Sequence, residues 1–177
     1  MVKLTKIDTG TQGYATPKKE IMNLHYSGSI LSQIMATDDK ASTIQYEVNN
    51  KGYITKRIVN GLGEMFTYDA NGNLTQIDDS NGYRTIFSFD LQQSIEEKQN
   101  PQNKGVLKNL YFLSPNNIIK GESFYVSGTN LIYQSGSENS YEYNSSNLPV
   151  KALYKSLDSG KQVYFKRNLS FSFTNCN

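Results

Sequence analysis

Tryptophan is missing from the chain, and cysteine, histidine and proline are scarce: one, one and four in 177 residues. The single Cys176 can form no internal disulfide, so cysteine usage says nothing about an oxidising compartment. It stands one residue from the end and reads as a tail residue. A nucleophilic thiol needs a neighbouring base, and His25 is far away in sequence. That lone histidine has no partner of its own kind, so a metal or triad role would rest on carboxylates alone. Between Leu24 and Tyr26 it reads as an exposed strand residue. No metal site and no cofactor is implied. Long apolar runs are lacking too, none approaching the ~18 residues of a spanning helix. The opening stretch, residues 1–7, alternates polar with apolar residues and has no continuous apolar core of an export signal. It suits a cytoplasmic chain, and equally a chain whose signal has been trimmed. Charge is nearly balanced: 18 basic and 16 acidic residues leave +2. The basic residues gather no further than the pairs Lys18-Lys19 and Lys56-Arg57. Nucleic-acid binding needs a basic stripe or patch, so that partner is not expected.

What the chain does have is tyrosine (13), phenylalanine (8) and glycine (13), together with much Asn, Ser and Thr. This balance suits pleated strands and tight turns and suits long helices poorly. Alternation with a period of two recurs along the chain, the mark of half-buried strands. Met22, Leu24 and Tyr26 fall on one face, as do Ile44, Tyr46 and Val48. Phe66 with Tyr68, Phe87 with Phe89, Tyr141 with Tyr143, and Leu169 with Phe171 and Phe173 repeat the pattern. Turn signals separate them, the clearest being Asp69-Ala70-Asn71-Gly72-Asn73, where Asn-Gly supplies the positive φ of a tight hairpin. Aromatic anchors at Tyr26, Tyr46, Tyr68 and Phe89 recur every ~20 residues, as in small supersecondary repeats. One stretch, about 96–122, breaks the rhythm and is expected to be an irregular insertion capping an opening of the sheet.

The segment Phe66-Thr67-Tyr68-Asp69-Ala70-Asn71-Gly72-Asn73-Leu74-Thr75-Gln76-Ile77 resembles the tyrosine-aspartate (YD, RHS-type) repeat. That repeat consists of an aromatic-Tyr-Asp strand, an Asn-Gly turn and a Leu-Thr strand. Asn100-Pro101, Ser114-Pro115-Asn116-Asn117-Ile118-Ile119-Lys120 and the run from Tyr141-Glu142-Tyr143 to Leu148-Pro149-Val150-Lys151-Ala152 are similar to exported lipoproteins of Bacteroidota. Those carry a porin-like β domain of unknown function. The resemblance is strongest over residues 43–173. Phe89-Asp90-Leu91-Gln92-Gln93 departs from it by lacking the turn glycine. The resemblance implies a cell-envelope location, periplasmic or on the outer membrane, with export and an N-terminal lipid anchor. It supplies no catalytic residues.

Candidate chemistry is sparse. A calcium loop counted from Asp69 would want Gly at its sixth position and Glu at its twelfth; it finds Leu74 and Ser80, so the segment reads as a turn. Glycoside hydrolysis needs two carboxylates across a cleft. The adjacent pairs Asp38-Asp39, Asp78-Asp79 and Glu96-Glu97 are the available candidates. Neighbours on a strand point to opposite faces, and the first two pairs read as turn residues. Tyr46, Tyr68, Tyr141 and Tyr143 are expected to fill the buried face. Tyr53, Tyr83, Tyr133 and Tyr154, with Tyr125 and Tyr164, are expected outward or near edges, and the first four are the candidate ligand-binding residues. The expectation is therefore a single all-β domain over 1–177, an antiparallel meander of ten or more strands. It is strongly twisted and curls into a partial or complete barrel. The expected role is that of a non-catalytic, monomeric envelope module binding a glycan or an envelope protein; the alternative is a glycan-acting hydrolase.

Overall fold

A computed structural model describes residues 2–8, 18–27, 30–37, 43–94 and 114–172. They form twelve strands: β1 (Val2–Asp8), β2 (Lys18–Ser27), β3 (Ile30–Thr37), β4 (Thr43–Val48), β5 (Ile54–Val59), β6 (Leu62–Tyr68), β7 (Leu74–Asp79), β8 (Tyr83–Gln93), β9 (Asn116–Ser127), β10 (Asn130–Tyr143), β11 (Pro149–Leu157) and β12 (Val163–Ser170). No helix occurs among the described residues. The chain is an all-β antiparallel meander, with order in the sheet repeating order in the sequence. Among the described strands no ladder joins β12 back to β1, so the sheet is not closed, which corrects the complete-barrel alternative. Contacts group the strands into two units. One runs to Phe66 and adds Asp79–Asn81; the other takes Thr67–Asp78 and the chain from Gly82. Of the stretch expected to be irregular, 95–113 lie outside the described residues. Asn116–Glu122 are strand, the first half of β9; the stretch pairs with β8 through two register shifts, and Lys120–Glu122 pair with β10 as well.

Local chemistry explains the turns. Four of them share one construction: Asn49–Tyr53, Asp69–Asn73, Asn144–Leu148 and Asp158–Gln162. In each, the first residue donates its N–H to the fifth carbonyl, and its own carbonyl accepts from the fourth N–H, at 2.9–3.2 Å. The first side chain is always Asn or Asp, and its Oδ1 accepts from the N–H groups of the third and fifth residues at 2.8–3.0 Å. The fourth residue takes positive φ: Gly52 83°, Gly72 88°, Asn147 55° and Lys161 61°. A short side-chain acceptor thus satisfies donors that the tight bend leaves without ladder partners. The β5–β6 hairpin instead uses Asn60-Gly61, both at positive φ (51° and 84°), the pairing a two-residue type I′ turn requires.

In the first unit Ile54 is fully buried, and Tyr46 and Phe66 are buried as well. Cross-strand ion pairs sit over half-buried ladders: Lys56 with Glu47 at 3.1 Å, and Arg57 with Glu64. In the second unit Leu74, Ala152 and Leu157 are buried. Gly121 makes room for the Phe87 ring, and a side chain there would meet it at 3.4 Å. Gly136 is tighter still. A Cβ at that position would lie 2.6 Å from the Tyr133 hydroxyl and 2.9 Å from the Gly121 carbonyl.

Candidate functional site

The densest set of buried polar groups lies in the second unit, where the 69–73 turn, the end of β8 and the start of β9 meet. Asn73 (2% exposed), Ser94 (3%) and Asn117 (4%) are buried, as is Ser114. Asn73 Nδ2 donates to Asp69 Oδ2 at 2.9 Å and to Asn116 Oδ1 at 3.0 Å, while its Oδ1 accepts the Asn116 N–H at 3.1 Å. Leu74 N–H donates to Ser114 Oγ, and Asn116 Nδ2 to the Gln92 carbonyl. The side chains of Asn73, Ser114 and Asn116 thus tie one repeat turn to the neighbouring strand pair.

Asp90 anchors the other half of this seam. Its Oδ1 accepts from Gln92 N–H at 2.9 Å, two residues on, as in the four capped turns. In those turns the second donor comes from the fifth residue. Here it is Asn117 N–H, at 3.2 Å, from the far side of the 95–113 segment. The Ser94 N–H meets the Pro115 carbonyl at 2.7 Å. Ser94 and Pro115, on either side of the 95–113 stretch, are thus held together, and Asp90 takes one N–H from its own strand and the other from β9.

Tyr143, at the end of β10, completes the seam. Its hydroxyl donates to Asp90 Oδ2 and accepts from Asn117 Nδ2 at 2.9 Å. Burial pushes the hydroxyl pKa up, and the Asp90 carboxylate pushes it further; the Asn117 amide works against both. A tyrosine held in its neutral form and already bonded at both ends is a structural strut, not a nucleophile or base. At Asp69 the desolvation cost would raise the pKa. Hydrogen bonds from the Asn73 side chain and from the N–H groups of Asn73, Asn71 and Gly72 outweigh it, and the pKa falls below its ordinary value of 3.8. N–H donors reach both carboxylate oxygens, the arrangement of a turn cap and not of a cation ligand.

The four tyrosines singled out from the sequence are not brought together. Tyr53 lies in the first unit, just before β5, and its N–H closes the 49–53 turn. Tyr133 is half-buried with its hydroxyl enclosed, its ring packed edge-on against Phe124 and covered by Lys161 Nζ at 4.8 Å. Tyr154 packs edge-on against Tyr141 at 6.2 Å. Only Tyr83 presents an open ring, 45% exposed, in an edge-to-face pair with Tyr125 at 5.5 Å. His25 is half-buried in β2 and not exposed. Asp78 and Asp79 are the last residues of β7: Asp78 is no turn residue, standing opposite Arg84 and accepting from its Nε at 2.6 Å, while Asp79 Oδ1 accepts the Asn81 N–H of the following turn at 2.8 Å. Asp38-Asp39 and Glu96-Glu97 lie outside the described residues. The seam itself, Asn73, Asp90, Asn116, Asn117 and Tyr143, escaped sequence reasoning. Its one signal was the Asn-Asn pair at 116–117, the first two residues of β9, where two extra amides have no turn of their own to cap.

The family model described as RHS Repeat matches residues 68–93, the segment containing the 69–73 turn, β7 and β8. A porin-like protein from Bacteroides uniformis ATCC 8492 is similar in structure over 92% of this chain and 80% of its own, with 12% sequence identity and a TM-score of 0.41. No curated protein matches the chain.

Proposed function

We propose that the chain is a non-catalytic β-repeat module of the bacterial cell envelope, a scaffold or binding surface for a glycan or an envelope protein. The observation that carries this reading is the fate of the acidic side chains. Asp69, Asp90 and Asp158 cap backbone N–H groups of turns. Glu47, Glu64, Asp78 and Glu142 pair with cations on the adjoining strand. Carboxylates used in this way hold hairpins together, and general acid–base chemistry needs a carboxyl facing a substrate with a tuned pKa. The RHS match over 68–93 supports a repeat whose business is architecture. The wider resemblance over 43–173 supports export and an N-terminal lipid anchor. Fractionating the source cells and weighing the N-terminal peptide of the native protein tests the location. A diacylated cysteine in the membrane fraction is expected, and an unmodified soluble protein would overturn the envelope assignment. Incubation with polysaccharides is expected to release no reducing ends; their release would restore the hydrolase alternative.

A further inference from the structure

The second unit carries a groove of about 440 Å³ on one face of β8–β11, its lining a mixture of aliphatic, hydroxyl and charged side chains. Its axis is a single cross-strand row: Ser88 opposite Lys120, Lys120 opposite Glu138, and Glu138 opposite Lys155. Directly opposite residues share a face, and strands ~4.8 Å apart make this row ~14 Å long. Ile119 and Leu153 supply apolar lining, and Ser140 a further hydroxyl. A second groove of about 260 Å³ shares Ser140 and Leu153 and carries the surface on towards Asn168 of β12.

The charges in this row are incompletely used. Lys120 Nζ is held by Glu122 at 2.9 Å. Lys155 Nζ and Glu138 Oε2 stand 3.8 Å apart, an attraction too long for a hydrogen bond. The ammonium keeps donors to offer and the carboxylate keeps acceptors. One hydroxyl group can receive from the first and donate to the second at a single oxygen. A polyanion would meet Glu138 in the middle of the row, with Glu122 beside it; a polycation would meet Lys120 and Lys155. A neutral ligand with many hydroxyls and C–H surface matches the mixture of charged, hydroxyl and aliphatic lining.

We propose that this groove binds a neutral, hydroxyl-rich oligosaccharide, its hydroxyls bridging Lys155 and Glu138 and its C–H face lying on Ile119 and Leu153. The proposal rests on the binding-module reading above and gives it a place on the molecule. Tyr83 lies an odd number of residues from Ser88 on β8 and so faces the opposite side of the sheet, which makes the exposed Tyr83–Tyr125 pair an internal control. The test is an NMR titration of ¹⁵N-labelled full chain with cellohexaose, maltohexaose and mannohexaose at up to about 10 mM. Trigalacturonate and a capped Ser-Ala octapeptide serve as competitors. At least one neutral hexasaccharide is expected to shift the amides of Lys120, Glu138, Ser140 and Lys155. Glu138→Ala is expected to weaken binding about tenfold and Tyr83→Ala to leave it unchanged, both variants keeping the parent amide spectrum elsewhere. Shifts centred on Tyr83 and Tyr125 would overturn the groove while sparing the binding-module reading. Tighter binding of the galacturonate or the peptide would overturn the ligand class. Silence with all three neutral sugars would overturn the proposal, leaving the envelope location to be decided by the N-terminal peptide.

Discussion

Tyr143→Phe removes one oxygen from the seam and nothing else, so its cost follows from the bonds that oxygen makes. The hydroxyl donates to a carboxylate, Asp90, and accepts from the Asn117 amide at 2.9 Å. Losing a hydrogen bond to a charged group costs about 1.5–3 kcal/mol, and losing a neutral one about 0.5–1.5 kcal/mol. The second loss is partly absorbed, because Asn117 Nδ2 already lies 3.3–3.5 Å from Asp90 and from the Gln92 and Gln93 carbonyls. The expected total is about 2–3 kcal/mol, or a fall in Tm of about 4–12 °C for a chain of this size. Urea unfolding followed by tyrosine fluorescence and by circular dichroism measures it. The substitution also has a pH signature. A pKa raised in the folded state means stability present below the ordinary tyrosine value of 10.0 and lost as pH rises past it. Tyr133 is shifted in the same direction by burial and then by the nearby Glu122 and Asp158 carboxylates. The variant should therefore show a shallower alkaline decline, and not a flat one. A double-mutant cycle with Asp90→Asn should return a coupling of about 1 kcal/mol or more. A cost below about 0.5 kcal/mol, or strict additivity in the cycle, would refute the seam as a stabilising network.

Three further outcomes are expected. Gly136→Ala should destabilise by about 1–3 kcal/mol, because one of its two clashes is with backbone, the Gly121 carbonyl at 2.9 Å. Adding Tyr133→Phe to it should relieve only the other clash, and Gly121→Ala, whose nearest contact is the Ser137 hydroxyl at 3.1 Å, should cost less; chemical denaturation of the three variants orders them. Gly72→Ala should cost about 1–2 kcal/mol through its φ of 88°, whereas Asn60→Gly at the β5–β6 turn should stay within about 0.5 kcal/mol. Asp69, with its pKa lowered from 3.8, contributes stability that is present above that value and lost as pH falls through the lower folded-state value. Asp69→Asn should flatten the acid limb of a Tm-against-pH curve, and an unchanged limb would show that the cap carries no charge-dependent stability.

The strands and most turns were legible in the sequence because each depends on residues close together. Alternation around Tyr46, Phe66 and Tyr141 needs only a local period. A turn capped by its first residue needs only Asn or Asp with a residue tolerant of positive φ three places on. The tyrosine reading went less far, since alternation says which residues share a face and not what covers that face. Tyr133 points its hydroxyl into a space that exists because Gly136 has no side chain, a fact that depends on two strands in register. Asp78 looked like a turn residue for want of its partner, Arg84, on the next strand. The seam was invisible for a stronger reason: Asp90 finds its second donor 27 residues downstream, and no local pattern encodes that bond. Groove and seam alike are products of register between strands, which composition and spacing do not specify.

The self-capped turns carry a consequence for the order of folding. Each of them is closed by bonds within five residues, so nucleation is local and can begin at several places at once, with adjoining strands zipping on from whichever hairpin forms first. The β8–β9 connection is the exception. Its cap comes from across the inserted segment, and the longer search must be completed before Asn117 can reach Asp90. Pulse-labelled hydrogen exchange should find the amides of the 69–73 and 158–162 turns protected early and the Asn116 and Asn117 amides last. The insertion then acts as a timing element: it sets when the second unit becomes whole.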